Sequence, residues 1–90
     1  MLVKTIVYHE QFVKAFRKLP PDKQKQAIKS EKLFRLNPLH PSLRLHRISP
    51  EAHDIWSISA TSSLRILFKR MPDATIFFLK IGSHNVYRNL

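Results

Sequence analysis

The side chains of this 90-residue sequence that could move protons or hold charge in a reaction are five histidines, sixteen Lys and Arg, and two tyrosines. Cysteine is absent, which removes thiolate metal sites, disulfide frameworks and Cys nucleophiles. Gly82 is the only glycine, so neither a phosphate-cradling P-loop nor a dinucleotide fingerprint can be built. His9, His40, His46, His53 and His84 are widely spaced and form no HxH or HExxH pattern, so no metal set is expected. The six Asp and Glu fall mostly in helix or turn contexts, which argues against a paired-carboxylate site. Any catalysis therefore falls to His, Arg, Lys and Tyr. That set suits phosphodiester cleavage, in which a base takes a proton from a hydroxyl, an acid protonates the leaving oxygen and cations stabilise the phosphorane. With RNA the neighbouring 2′-hydroxyl is itself the nucleophile, and neither metal nor organic cofactor is required.

The charge points the same way. The formal net charge is +10, and it is concentrated: residues 1–49 carry eleven basic and three acidic groups, residues 50–90 five and three. A field of this sign attracts polyanions, either nucleic acid or an acidic protein partner. The apolar run around 75–79 is far shorter than the roughly 20 residues a membrane span needs. Lys4 interrupts the N-terminal apolar residues too early for a secretory signal. The expectation is a cytoplasmic domain spanning 1–90, with no membrane partner.

The elements that must position these groups read as β-α-α-β-β-β-β. Residues 2–8 are β-branched and read as a strand. Phe12, Val13, Phe16 and Leu19 make one helical stripe, ended by Pro20-Pro21. A second helix begins near Asp22, carries Ala27, Ile28, Leu33, Phe34 and Leu36, and stops at Asn37-Pro38, where Asn is expected to adopt the left-handed conformation. Leu43 to Ile48 alternates, with Arg44 and His46 expected on one face. Residues 49–54 read as a loop. Residues 55–60, 64–69 and 74–81 read as three further strands, the last apolar on both faces and expected to be central. The economical packing is α+β, with both helices on one face of a curved antiparallel sheet and the other face, bearing Arg44, His46 and Arg65, open to a ligand.

Three stretches taken together resemble the RelE/ParE superfamily of toxins from toxin–antitoxin systems: Ile55-Trp56-Ser57-Ile58-Ser59, then Leu64-Arg65-Ile66-Leu67-Phe68, then Gly82-Ser83-His84-Asn85-Val86-Tyr87-Arg88. The family pattern is W-S-I-R, a turn, Y-R-I-x-F, and a terminal G-x-H-D-x-x-Y-R. The helical half also fits, with a first helix ending near Leu-Pro and a second at Asn-Pro, so the resemblance covers essentially the whole chain. It implies the fold already reached. It further implies one of two activities, ribosome-dependent mRNA cleavage with a 2′,3′-cyclic phosphate product or inhibition of DNA gyrase, each silenced by an antitoxin.

Carried over by position, Arg65 matches the arginine that faces the scissile phosphate, and His84 the histidine that serves as acid or base. Tyr87 takes the place of the C-terminal aromatic, and His46 that of a basic or imidazole group in the active groove. Arg44, Arg47 and Arg88 would be supporting RNA contacts. The chain departs from the pattern at Leu64, where Tyr is usual, at Ser59, where an arginine is usual, and in the one-residue-shorter spacing of His84 and Tyr87.

Each residue also has a plainer role. Arg65 could pair with Asp54 or Asp73, Tyr87 could close the core, and Trp56 reads as core or rim. His40 and His53 read as loop residues in solvent, and the Lys-rich helix face as a solvated surface. The leading expectation is a metal-independent, ribosome-dependent mRNA endonuclease toxin, partnered by an acidic antitoxin, the ribosome and mRNA. The alternatives are a gyrase inhibitor of the ParE type, or a decayed member that binds antitoxin without cleaving.

Overall fold

The computed structural model describes residues 1–49 and 54–87, leaving aside the side chains of Ser49, His84 and Asn85. The order is β1 (Thr5–Tyr8), α1 (Glu10–Arg17), α2 (Pro21–Leu36), β2 (His46–Ser49), β3 (Ile55–Ser59), β4 (Arg65–Met71) and β5 (Thr75–Gly82). Short 3-10 turns occupy Pro41–Leu43 and His84–Tyr87. The strands form one sheet in the order β1-β5-β4-β3-β2. Four strands are antiparallel as expected, but β1 pairs parallel with β5, which makes the sheet mixed. The two helices carry the chain from β1 to β2 at the opposite edge of the sheet, and the antiparallel run β2-β3-β4-β5 then brings β5 back beside β1 in the same direction. β5 is internal, and β4 is the middle strand.

Both helices start where their local chemistry says they should. His9 caps α1 with its imidazole, Nδ1 accepting from the Gln11 N–H at 3.0 Å, and Pro21 opens α2 at a position where its missing N–H costs nothing. Asn37 ends α2 at φ −151°, extended and not left-handed, so the stop rests on Pro38. Phe12, Ala27 and Phe34 of the helices meet Ile58, Ile66, Phe68, Ile76 and Phe78 of the sheet in the main core. Phe34 stacks obliquely on Phe68 and Phe78, with centroids 5.1 and 6.0 Å away. Leu36 and Ile28, expected on the buried stripe of α2, face solvent instead.

The strand expected over 43–48 begins only at His46. Leu43 lies in the 3-10 turn, capped by His40, whose Nδ1 accepts from the Ser42 N–H, and its side chain is sunk in the core. Arg44 then takes a left-handed conformation (φ 48°, ψ 46°) that turns the chain into β2. A buried leucine on a turn has satisfied the same apolar demand that alternation would have met in a strand.

Candidate functional site

Register assigns the side chains that share the sheet face away from the helices. One row across the sheet is His46, Ser57, Leu67 and Lys80; a second is Ser59, Arg65 and Gly82; a third is Ile55, Lys69, Phe77 and Val7. No carboxylate stands in any of these rows, while His46, Arg65, Lys69 and Lys80 do. Strand spacing puts the Cα atoms of His46 and Arg65 roughly 12 Å apart, two strands across and two residues along. Lys80 reaches this face through a bulge between Leu67 and Phe68 on β4 and its partners on β5, which makes Leu79 the extra residue. Strict alternation from Phe78 would have sent Lys80 to the helix side.

The face is not the bare surface expected from sequence. Ile55, Leu67 and Val86 are buried apart from the main core, and Ser57 is fully buried. The turn His84–Tyr87 folds back against β4 and β5. Gly82 makes this approach feasible: a Cβ there would stand 2.9 Å from Val86 Cγ1. The return brings the Tyr87 hydroxyl to 3.2 Å from Ser57 Oγ, a hydrogen bond in which either can donate. Tyr87 thus packs on the sheet and also lies within the row that starts at His46.

His46 is exposed, and its Nδ1 lies 2.9 Å from the Arg44 carbonyl oxygen. A carbonyl can only accept, so Nδ1 carries the proton and the neutral ring keeps its lone pair on Nε2. The left-handed turn at Arg44 therefore sets the tautomer of His46. His9 and His40 are the reverse case: their Nδ1 atoms accept from backbone N–H groups, so both act as caps. His40, expected as a solvated loop residue, is half-buried in that role.

Arg65 is half-buried, and its Nη1 donates to the Thr61 carbonyl at 2.9 Å. It pairs with neither Asp54 nor Asp73. Asp54 is occupied by Arg70 (2.8 Å), Arg47 (3.2 Å) and the Trp56 indole N–H (2.8 Å). The hydrogen bonds from Arg70, then that from Trp56, hold the Asp54 carboxyl below its usual range. Arg47 is the register partner of Trp56 and so points away from His46. Arg44 is exposed beside the site; Arg88 and His53, and the side chain of His84, lie outside the described residues. Of the four residues expected to catalyse, His46, Arg65 and Tyr87 share one face, and His84 begins the turn that carries Tyr87.

Ser57, Lys80 and Thr61 were not singled out from sequence. Ser57 alone had a signal, as the middle member of an alternating Ile55-Ser57-Ser59 row. The departures also have places: Leu64 is buried in the main core, and Ser59 is buried opposite Arg65. A hollow of about 340 Å³ between α1, α2 and the sheet is walled mainly by apolar side chains, among them Phe12, Val13, Phe16 and Ile28, with Arg17 and Glu31 also in its lining.

No protein-family model matches the chain, and no curated protein matches it significantly. Solved structures do. A chain of the RelE–RelB complex from the archaeon Pyrococcus horikoshii OT3 superposes with a TM-score of 0.73 and 16% identity, over 91% of this chain and 96% of that one. YafQ from E. coli gives 0.71 and 17%, over 92% and 96%. A YoeB/ParE toxin from Agrobacterium tumefaciens gives 0.74 at only 8% identity, over 90% and 99%. The chain has the fold of these toxins.

Proposed function

We propose that this chain is the toxin of a type II toxin–antitoxin pair and that it cleaves ribosome-bound mRNA without a metal. The observation that carries the reading is a sheet face bearing His46, Arg65, Lys69 and Lys80 and, among the described residues of its paired strands, no carboxylate, on a fold shared with RelE and YafQ. A face of that composition attracts a phosphodiester and offers a base beside it.

In this mechanism His46 Nε2 takes the proton of the 2′-hydroxyl. The 2′-oxygen then attacks phosphorus, the bond to the 5′-oxygen breaks, and the products are a 2′,3′-cyclic phosphate and a 5′-hydroxyl. His84 gives the leaving oxygen its proton. Arg65 keeps Nη1 on Thr61 and turns its remaining N–H groups to the phosphorane, whose charge grows only in the transition state. Tyr87, held by Ser57, orients the base on the 3′ or 5′ side of the break. Arg44, Arg47 and Arg88 contact flanking phosphates. In the uninduced state an acidic antitoxin, the ribosome's competitor for this cationic face, keeps the toxin silent.

The test is induced expression without a partner, scored by growth, by translation and by primer extension on mRNA. Arrest with new 5′ ends, abolished in Arg65→Ala and His84→Ala chains of unchanged folding, is the expected result. Full toxicity of both variants overturns the site. Continued translation with loss of supercoiling moves the target to gyrase, and no toxicity at all leaves an antitoxin-binding scaffold.

A further inference from the structure

The corner of the sheet where β2, β3 and β4 run together holds a second cationic group, Arg47 and Arg70 on Asp54, of which the mechanism above uses only Arg47 and gives it no geometry. Asp54, at φ 57°, receives Nε and Nη2 of Arg70 at 2.8 and 3.2 Å, Nη2 of Arg47 at 3.2 Å and the Trp56 indole N–H at 2.8 Å. The Arg70 guanidinium lies 4.7 Å above the Trp56 ring centroid, and that of Arg47 lies 6.0 Å away. Two cations on one anion leave a net positive corner. The two arginine side chains remain 42–43% exposed, and Asp54 occupies fewer than half of the N–H donors that two guanidiniums carry.

Arg47 ties β2, and Arg70 ties β4, to Asp54 at the start of β3, so the cluster also braces three strands. What the arrangement adds is pre-organisation. Long side chains normally lose rotamer freedom when they bind, but here a carboxylate fork and an aromatic face have already fixed the Arg70 plane. Its position then decides the partner. Arg47 follows His46 directly on β2, an edge strand, and the two point to opposite faces. A chain leaving the His46 face over the free edge of β2 meets Arg47 and then Arg70.

We propose that Arg47 and Arg70, set on Trp56 by Asp54, form a phosphate clamp for the RNA strand flanking the cleaved linkage. This inference rests on the RNA-cleaving reading for its choice of partner, and its test is independent of cleavage. The full chain is titrated with a fluorescently labelled 2′-O-methyl RNA oligonucleotide, which cannot be cut, across a series of KCl concentrations. Each phosphate contact on single-stranded nucleic acid contributes about 0.7 to the slope of log affinity against log salt. Arg47→Gln with Arg70→Gln should therefore flatten the slope by about 1.4 and weaken binding severalfold. Arg47→Lys with Arg70→Lys should keep the slope and lose affinity, because the charge stays and the fork is gone.

If removing both arginines strands Asp54 and unfolds the chain, adding Asp54→Asn restores a neutral corner for the same measurement. An unchanged slope in the folded variant overturns the clamp and leaves a brace. Loss of binding to a polyglutamate peptide with RNA binding intact also overturns it, in favour of an acidic protein. Growth arrest that disappears with Arg65→Ala, while the clamp variant keeps the parent's oligonucleotide slope, would sink this inference alone.

Discussion

The two faces of the sheet are built on different rules. On the helix side, Phe34, Phe68, Phe78, Ile58, Ile66 and Ile76 exclude water completely, and they would do so for any partner of similar shape. On the far side, Ser57 and Ser59 are buried alongside Ile55, Leu67 and Val86 under a half-buried tyrosine, and two polar groups at its margin are tied to backbone carbonyls: His46 to Arg44, Arg65 to Thr61. The first face fixes the fold through area and shape. The second holds imidazole and guanidinium groups in chosen orientations without neutralising them, which is what a site for a polyanion needs.

Breaking the contrast at its strongest point should have the largest effect. Phe68→Ala opens a cavity under Phe34 and should cost about 3–5 kcal/mol, a large part of the total stability of a small domain, read by urea unfolding. Arg65→Ala should do the opposite, lowering cleavage about 100-fold while leaving the unfolding midpoint nearly in place. A chain that lost both together would show that the far face is also structural. Ser57→Ala lies between the two cases. Removing its hydroxyl should cost about 1 kcal/mol and loosen Tyr87, seen as faster hydrogen exchange in residues 84–87.

The pH dependence sharpens the same division. Asp54 is held below its usual range by Arg70 and Trp56, so its contribution is present at neutral pH and drains away as the pH falls below about 4 and through the depressed native value. The melting temperatures of the parent chain and of Asp54→Asn should differ at pH 7 and converge as the pH falls through that depressed value. The smallest change is expected at the solvent-exposed Glu10–Lys14 pair, where Glu10→Gln should shift stability by less than about 0.5 kcal/mol.

Much of this was legible before any coordinates. The helical stripe of Phe12 and Phe16, the Pro20-Pro21 break and the strand runs at 55–60, 64–69 and 74–81 gave the order of elements, because each is a local signal of period or of backbone chemistry. The same reading failed between Leu43 and His46, where a 3-10 turn and a left-handed arginine buried the leucine by another route. At Arg65 the plainer alternative, a pair with Asp54 or Asp73, gives way to a hydrogen bond to the Thr61 carbonyl, since side-chain composition carries no information about backbone acceptors.

What the sequence determined by itself is the element order, the absence of thiol and glycine-loop chemistry and the excess of positive charge. These follow from residue types and short-range spacing. Only the tertiary structure decided that β1 pairs parallel with β5, that a bulge carries Lys80 across the sheet, and that Tyr87 returns to Ser57 while Arg47 turns away to Asp54. Each of these depends on register between segments distant in the chain, and a one-residue shift in register exchanges the two faces without changing any residue.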